Sequence, residues 1–446
     1  MQLAYDRWLW HSDQVVRVNP SPLGRLLARH AEASVIEALA DTRVVLVTGA
    51  RQSGKSTLVG LVVKGRDAEW RNLDTATTRQ AAIADPAGFV DSGELMVIDE
   101  IQRVPELLLA IKEQADADPR PGRYLLTGSA RVLGLRGLPD TLPGRTETIE
   151  LWPLAQGEID GTADRFVDAV FEQVEQGEQG EQGERGGALT HESAATRQEY
   201  AERIVRGGFP EALARTNPRR RERFFDSYLA DLVARDVSQL SEIERTAEMR
   251  ALIRLLAARS GQLLVVNAVG SDARLPASTV HRYLALLEEV YLIKRVPAWS
   301  RNVSARAVGT PKLAFVDSGI AANLLGADVR SLLRPGGPFG PLLEGFVLME
   351  LARQLTWSRQ RAELFHYRTK DKVEVDAILE NRQGHVVGIE IKASSTVAAG
   401  DFRGLRHLAE RIGPDFIVGL VFYTGTQTLP FGSRLRAVPV SALWQI

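Results

Sequence analysis

Short apolar runs alternate with amphipathic stretches from Arg43 to about Gln156. RVVLVTG (Arg43–Gly49), LMVIDE (Leu95–Glu100) and RYLLTGS (Arg123–Ser129) are the clearest, and helix-compatible sequence follows each. Apolar runs of strand length separated by amphipathic segments predict a parallel α/β sheet covered on both faces. The pattern then breaks. FEQVEQGEQGEQGERGG (171–187) repeats Glu, Gln and Gly with little apolar content, so it reads as a flexible insertion. From Gln198 to Glu289 the apolar positions recur every three or four residues, as in ERFFDSYLADLVARDV and MRALIRLLAARSG, which predicts helices. LPASTVHRYLALLEEVYLI continues that pattern, and LIKRVPAWSRN after it reads as a hairpin-like wing. From about Gly340 a helix (LLEGFVLMELARQL) precedes two strands, KVEVDAILE and HVVGIEIKAS, joined by a turn at Asn381–Gly384. The expected division is 1–160, an α/β core with an N-terminal extension; 161–197, the insertion; 198–335, a helical and winged-helix region; and 336–446, a second α/β unit.

Composition narrows the chemistry. A chain of 446 residues has room for about three domains. Its formal net charge of −1 excludes a uniformly basic coat, so any nucleic-acid contact must come from a local patch. The chain has no cysteine, which excludes disulfides, thiolate nucleophiles and zinc–thiolate sites and fits a cytoplasmic setting. The first residues, MQLAYDRWLWHSDQVVRVNP, do not read as a signal peptide. No run approaches the roughly 18 apolar residues of a membrane span, so no membrane partner is expected.

The first candidate site is GARQSGKS, from Gly49 to Ser56, between an apolar strand and a helix. It fits the P-loop pattern G-x-x-x-x-G-K-S/T without a mismatch. Gly49, Ala50, Arg51, Gln52, Ser53, Gly54, Lys55, Ser56 and Thr57 form the expected phosphate cradle, because glycines allow close backbone approach and the helix N-terminus faces negative charge. Lys55 is expected at the β and γ phosphates and Ser56 on Mg2+. The two carboxylates ending LMVIDE divide the remaining work: Asp99 holds the Mg2+ shell and Glu100 polarises the attacking water. Thr127 or Ser129, ending the YLLTGS strand, is expected at the γ phosphate or the water. The ligand expected is ATP with Mg2+.

These residues carry a resemblance. VVLVTGARQSGKSTL, the NLD ending at Asp74, VIDEIQRVPEL, LLTGSARVL, LPGRTETIELWPL, RGGFPEAL and PKLAFVDSGI, then LLEGFVLMEL, HYRTKDKVEVDAIL and GIEIKAS, resemble the bacterial and archaeal AAA-type ATPases with a C-terminal domain of formerly unknown function. The EQG-rich insertion departs from that pattern. The resemblance implies an AAA-type fold, a central winged-helix region and a nuclease-like end. It also implies an arginine supplied by a neighbouring subunit, hence a homo-oligomer such as a ring. Arg145 is the first candidate, with Arg131 and Arg136 behind it.

Two further constellations point to DNA. In LPASTVHRYLALLEE, Ser278, Thr279, His281 and Arg282 sit at the end of a helix that meets base edges in helix-turn-helix proteins, with Leu284, Leu286 and Leu287 toward the core. Arg295 and Arg301 flank the wing, and the basic run Arg219–Arg223 offers phosphate contacts. In the last unit, Val375-Asp376 followed by Glu390-Ile391-Lys392 resembles the core of the PD-(D/E)xK nucleases, with valine where proline is usual. Residues two apart on a strand share a face, so Glu390 and Lys392 point the same way and the hairpin brings Asp376 across from them. Glu344, Asp376 and Glu390 are the expected Mg2+ or Mn2+ ligands, and Lys392 the group beside a phosphodiester. The reading is a Mg-dependent ATPase coupled to DNA binding, with metal-dependent cleavage as an added capability. Its rival is an ATP-switched DNA- or protein-binding regulator whose nuclease-like domain is catalytically inactive.

Overall fold

A computed structural model describes residues 21–129, 142, 144–177, 189–237, 246–302, 304, 306 and 309–446. The chain divides into two compact units, Met1–Leu151 and Trp152–Ile446.

The first unit is built on a parallel sheet. Among the described residues its strands are β1 (Val44–Thr48), β2 (Ala68–Asn72), β3 (Leu95–Asp99), β4 (Tyr124–Gly128) and β5 (Thr146–Glu150), in the spatial order β2-β3-β4-β1-β5. β1 and β4 are buried along their whole length and β3 along all but its first residue, as continuous apolar runs predict. Alternate residues feed two separate cores. Val44, Leu46, Met96, Ile98, Tyr124 and Leu126 pack on one face, against the helix Leu107–Ala117. Val45, Val47, Val97 and Leu125 pack on the other, against the helices Ala31–Asp41 and Lys55–Val62. The order has one consequence for chemistry. β4 lies between β1 and β3, so its C-terminal residues separate the P-loop strand from the strand ending in Asp99.

The second unit pairs a helical region with a mixed sheet. The helices Thr246–Ala257, Val266–Ala273 and Ala277–Glu289 precede an antiparallel pair, β6 (Ile293–Val296) and β7 (Lys312–Phe315). The expected hairpin therefore closes on a strand that periodicity did not single out. The mixed sheet contains β8 (Ala362–Arg368), β9 (Glu374–Asn381), β10 (Val386–Lys392), β11 (Phe416–Tyr423), β12 (Leu429–Pro430) and β13 (Leu435–Pro439), ordered β12-β13-β11-β10-β9-β8. β9 and β10 form the expected hairpin. Gly384 supplies a positive φ of 84° at its turn, a conformation that costs glycine little. The helix Phe339–Gln354 is buried nearly all round, its Glu350, Arg353 and Gln354 included.

The segment expected to be a flexible insertion is partly folded. Phe166–Gly177 is a helix, and Phe166, Val167, Val170 and Phe171 are buried on it. Their spacing is helical, and that apolar stripe outweighs the polar residues that follow. Residues 178–188, which hold most of the EQG repeat, lie outside the described residues.

Two of the motifs quoted above are structural. In RGGFPEAL, Gly208 donates its N–H to the buried Asp317 carboxylate of VDSGI at 2.6 Å, and Asp317 also caps the helix Ser318–Leu324 through Ile320 N at 3.1 Å. A side chain at Gly207 would run into that carboxylate, and one at Gly208 into the Leu154 carbonyl, so glycine is required at both. Among the described residues no helix is long and apolar enough to cross a membrane.

Candidate functional site

β1 ends at Thr48 and the chain turns through Gly49 (φ 154°), Gln52 (φ 62°) and Gly54 (φ 97°) into the helix Lys55–Val62. These positive φ angles curl the backbone around a concavity that suits an anion. Gly49 also lies against the Leu151 carbonyl, where a Cβ would collide. Lys55 is 4% exposed. Its Nζ donates to the carbonyls of Gly49 at 3.1 Å and Ala50 at 2.9 Å, so it bends back over the loop. The buried Arg29 donates to Ser53 O at 2.8 Å and braces the loop from outside. Arg29 precedes the first helix, Ala31–Asp41, and lies in none of the sequence motifs.

Across β4, Ser56 Oγ donates to both Asp99 oxygens at 3.0 Å. Thr127 Oγ1 donates to Asp99 Oδ1 and accepts the Glu100 N–H at 3.0 Å. Thr127 thus joins the two carboxylates, while Ser129 addresses Glu100 directly, donating to its oxygens at 3.2 and 3.1 Å. Gln102 closes this group. Its amide donates to Glu100 Oε2 and accepts the Ser129 N–H at 3.3 Å. Glu100 itself is in the left-handed region at φ 63°, which turns its side chain away from the strand line. Burial raises the Asp99 carboxyl above its usual range and Glu100 adds to this, while hydrogen bonds from Thr127 and Ser56 act the other way. Ser56 and Asp99 present adjacent hard oxygen donors, which suits Mg2+.

Arg145 stands apart from its own P-loop. Its carbonyl accepts from Val44 N at 3.2 Å, at the start of β1, the end of the sheet opposite the loop. Its guanidinium pairs with Asp116, Nη2 to Oδ2 at 3.0 Å. Arg131 and Arg136 lie outside the described residues.

The second unit brings the other candidates together. The antiparallel register sets Ile389 opposite Ala377, so Asp376 and Glu390 meet at the next step along the hairpin. Lys392 Nζ donates to Glu390 Oε1 at 2.8 Å. Glu344, on the buried helix Phe339–Gln354, joins Asp376 through Lys312 of β7, which the sequence reading had not assigned. Lys312 is 1% exposed. Its Nζ lies 2.5 Å from Glu344 Oε1, 2.8 Å from Asp376 Oδ1 and 3.4 Å from Glu374 Oε1. The other Asp376 oxygen accepts the Ile391 N–H at 2.9 Å. Burial and the neighbouring Asp376 push Glu390 up to about 7 and Glu344 up to about 8. Burial alone would depress the Lys312 ammonium, but Asp376 and Glu344 hold it above its ordinary range.

In this structure Glu344 and Asp376, two of the expected metal ligands, both pair with Lys312, and Glu390, the third, pairs with Lys392. Among the described residues no group of three or more His, Cys, Asp or Glu side chains is placed to hold a metal ion. The position between Glu344 and Asp376 is filled by an ammonium. The predicted convergence of side chains is present, and its cation is a lysine.

The helical region is mixed. On Ala277–Glu289, Ser278, His281 and Arg282 are exposed and Thr279 half-buried, while Leu284 and Leu287 are buried and Leu286 half-buried. Arg295 is tied to Glu288, and Arg301 donates to Ile412 O at 2.6 Å and pairs with Asp415. In the basic run, Arg221 donates to Arg215 O at 2.9 Å, while Arg219, Arg220 and Arg223 are exposed.

Comparison with known proteins agrees with the first unit. Residues 41–160 match the family described as AAA domain. Residues 197–331 and 339–443 match two domains of unknown function, DUF8612 and DUF4143. Uncharacterized proteins of Mycobacterium tuberculosis and Mycobacterium bovis are each 28% identical over 420 residues, 93% of this chain and 84% of theirs. A Walker-type ATPase of Pyrococcus abyssi aligns at 13% identity over 70% of this chain and 99% of its own, with a TM-score of 0.39. AMPPCP-bound DnaA from Aquifex aeolicus aligns at 14% over 61% and 92%, with a TM-score of 0.29. The AAA match over residues 41–160 and the P-loop geometry support an AAA-type ATPase domain, which implies binding and hydrolysis of ATP, usually with Mg2+.

Proposed function

We propose that this chain is a Mg-ATP-driven switch that binds DNA and works as a homo-oligomer. The observation that carries it is the hydrogen-bonded chain Ser56–Asp99–Thr127–Glu100–Ser129 at the C-terminal edge of a parallel sheet, beside a P-loop. On nucleotide binding, Lys55 exchanges the Gly49 and Ala50 carbonyls for phosphate oxygens, and the backbone from Ala50 to Thr57 lines the phosphates. Ser56 and Asp99 would hold Mg2+, which neutralises charge on the β and γ phosphates. Glu100 orients the attacking water, and Ser129 and Gln102 hold its carboxylate. Arg145 serves a neighbouring subunit, which its distance from its own P-loop supports.

The DNA half rests on the three helices and the β6–β7 hairpin, an order that suits a winged helix. Ser278, His281 and Arg282 are exposed at the N-terminal half of the third helix, the end that meets base edges in such modules. The C-terminal sheet is read as nuclease-like in arrangement and DNA-facing in role. The absence of cysteine from the chain favours a cytoplasmic setting.

The test is phosphate release by wild-type and Glu100→Gln protein, with nucleotide affinity measured beside it. Loss of turnover with retained binding supports the assignment, and wild-type turnover in Glu100→Gln overturns it. Incubation with single-stranded, duplex and branched DNA, with Mg2+ or Mn2+ and with or without ATP, tests the second half. Salt-dependent binding without cleavage is expected. Metal-dependent cleavage abolished by Asp376→Ala would replace this reading with that of a nuclease.

A further inference from the structure

The acidic pocket of the second unit resembles a metal centre in its carboxylates and differs from one in its contents. Lys312 Nζ stands within 2.5 Å of Glu344, 2.8 Å of Asp376 and 3.4 Å of Glu374. Three carboxylates around one buried cation is the electrostatic situation a divalent ion would otherwise meet. The lysine is held there by its backbone. Leu263 bridges Lys312, Leu264 N donates to Pro311 O at 2.8 Å, and Gly261 N donates to Leu313 O at 2.7 Å. Gly261 (φ 81°) packs where a Cβ would press on Glu344 and Pro341, so the strand lies close against the helix bearing Glu344.

The same hairpin is stitched to the C-terminal sheet at further points. Trp299 N donates to His366 O at 2.6 Å and His366 N to Pro297 O at 3.0 Å. His366 Nε2 bonds Thr310 O at 2.9 Å, and Arg306 grips Glu380 with two nitrogens at 2.5 and 2.9 Å. These bonds and the Lys312–Asp376 ion pair join the same two elements.

We propose that Lys312 is the permanent counter-ion of the Glu344–Asp376–Glu374 pocket: it takes the place of a divalent cation and fastens the β6–β7 hairpin to the C-terminal sheet. The pocket is therefore a joint between the helical module and the sheet, and the two present a fixed spacing to any ligand. This deepens the reading of the C-terminal sheet as non-cleaving but rests on the pocket's geometry, independently of the ATPase assignment.

The experiment is a titration of the nucleotide-free full chain with Mn2+, following free Mn2+ by electron paramagnetic resonance. Wild type, Asp376→Asn, Lys312→Met and Lys312→Met/Asp376→Asn are compared. Wild type and Asp376→Asn should bind Mn2+ identically, because the pocket takes none. Lys312→Met should gain one site, and the double variant should lose it. ATP turnover of Lys312→Met checks that the first unit is intact. A wild-type site lost in Asp376→Asn overturns the proposal, as does a folded Lys312→Met that gains none. If Lys312→Met does not fold, the wild-type and Asp376→Asn isotherms still decide. A cleavage assay read separately distinguishes failure of this inference from failure of the non-cleaving reading: metal bound without cleavage sinks only the former.

Discussion

Lys55 and Lys312 occupy comparable places in the two units and are held in opposite ways. Both are buried, and both end among oxygen acceptors near strand-end carboxylates. Lys55 donates to the neutral carbonyls of Gly49 and Ala50. Lys312 lies among the carboxylates of Glu344, Asp376 and Glu374. An ammonium among carboxylates gains a full charge–charge attraction that an ammonium on neutral carbonyls lacks. A phosphate can therefore draw Lys55 off its carbonyls with a net gain, whereas Lys312 would have to leave several charges behind. A lysine beside acidic strand ends is a ligand-binding device in one unit and a fastener in the other. The difference lies in the acceptors, and residue type alone does not reveal it.

The largest expected effect is on the mobile side of this comparison. Glu100→Gln should lower kcat for ATP hydrolysis by about 10²–10⁴-fold while nucleotide affinity changes little, as loss of a general base predicts. Lys55→Ala should instead weaken binding. Phosphate release and titration with a fluorescent nucleotide separate the two.

Stability should show the reverse asymmetry. Lys312→Ala leaves buried carboxylates without their cation and should cost about 3–5 kcal/mol. Lys55→Ala removes only bonds to carbonyls that water can reach once the side chain is gone, and should cost about 1 kcal/mol. Urea unfolding of the full chain, followed by tryptophan fluorescence, measures both. Equal losses would dissolve the contrast.

A smaller effect concerns a buried acid that accepts a hydrogen bond from the Gln354 amide, Asp164. Asp164 is pushed up to about 8 by burial, with Glu350 and Glu158 adding to the shift. Its pKa in the folded chain lies above the unfolded value near 4. The stability it contributes is therefore fully present below about pH 4 and is lost as the pH rises through about 8. Asp164→Asn should flatten the decline of stability across that window, measured as the urea midpoint at a series of pH values. An unchanged slope would mean that Arg353 nearby offsets the burial of Asp164.

The smallest effect separates exposed arginine from tied arginine. Arg282→Ala should lower the salt slope of DNA binding by about one. Arg295→Ala should leave it unchanged, because Arg295 is already paired with Glu288. Binding isotherms at several salt concentrations test both, and a slope indifferent to Arg282 would remove the helix Ala277–Glu289 from the DNA interface.

The sequence by itself determined the features that depend on neighbours along the chain. The P-loop is contiguous, its glycines dictate its curvature, and the apolar runs before Gly49, Asp99 and Thr127 could only be buried parallel strands. The meeting of Asp376 with Glu390 was also legible, because a hairpin turn and a two-residue period determine which side chains share a face. The tertiary structure decided what fills the space between those side chains. Lys312 is far in sequence from Glu344 and Asp376, and only the pairing of β6 with β7 and the packing of Gly261 against the Glu344 helix deliver its ammonium there. Arg29 reaches Ser53 in the same way, through the placement of the helix Ala31–Asp41. Phe166, Val167, Val170 and Phe171 turn part of a presumed insertion into core, although Glu, Gln and Gly dominate the sequence around them. Local pattern encodes backbone conformation, but a buried charge takes its role from the partners the fold brings to it. Lys55 and Lys312 are the same residue type and acquire opposite roles for that reason.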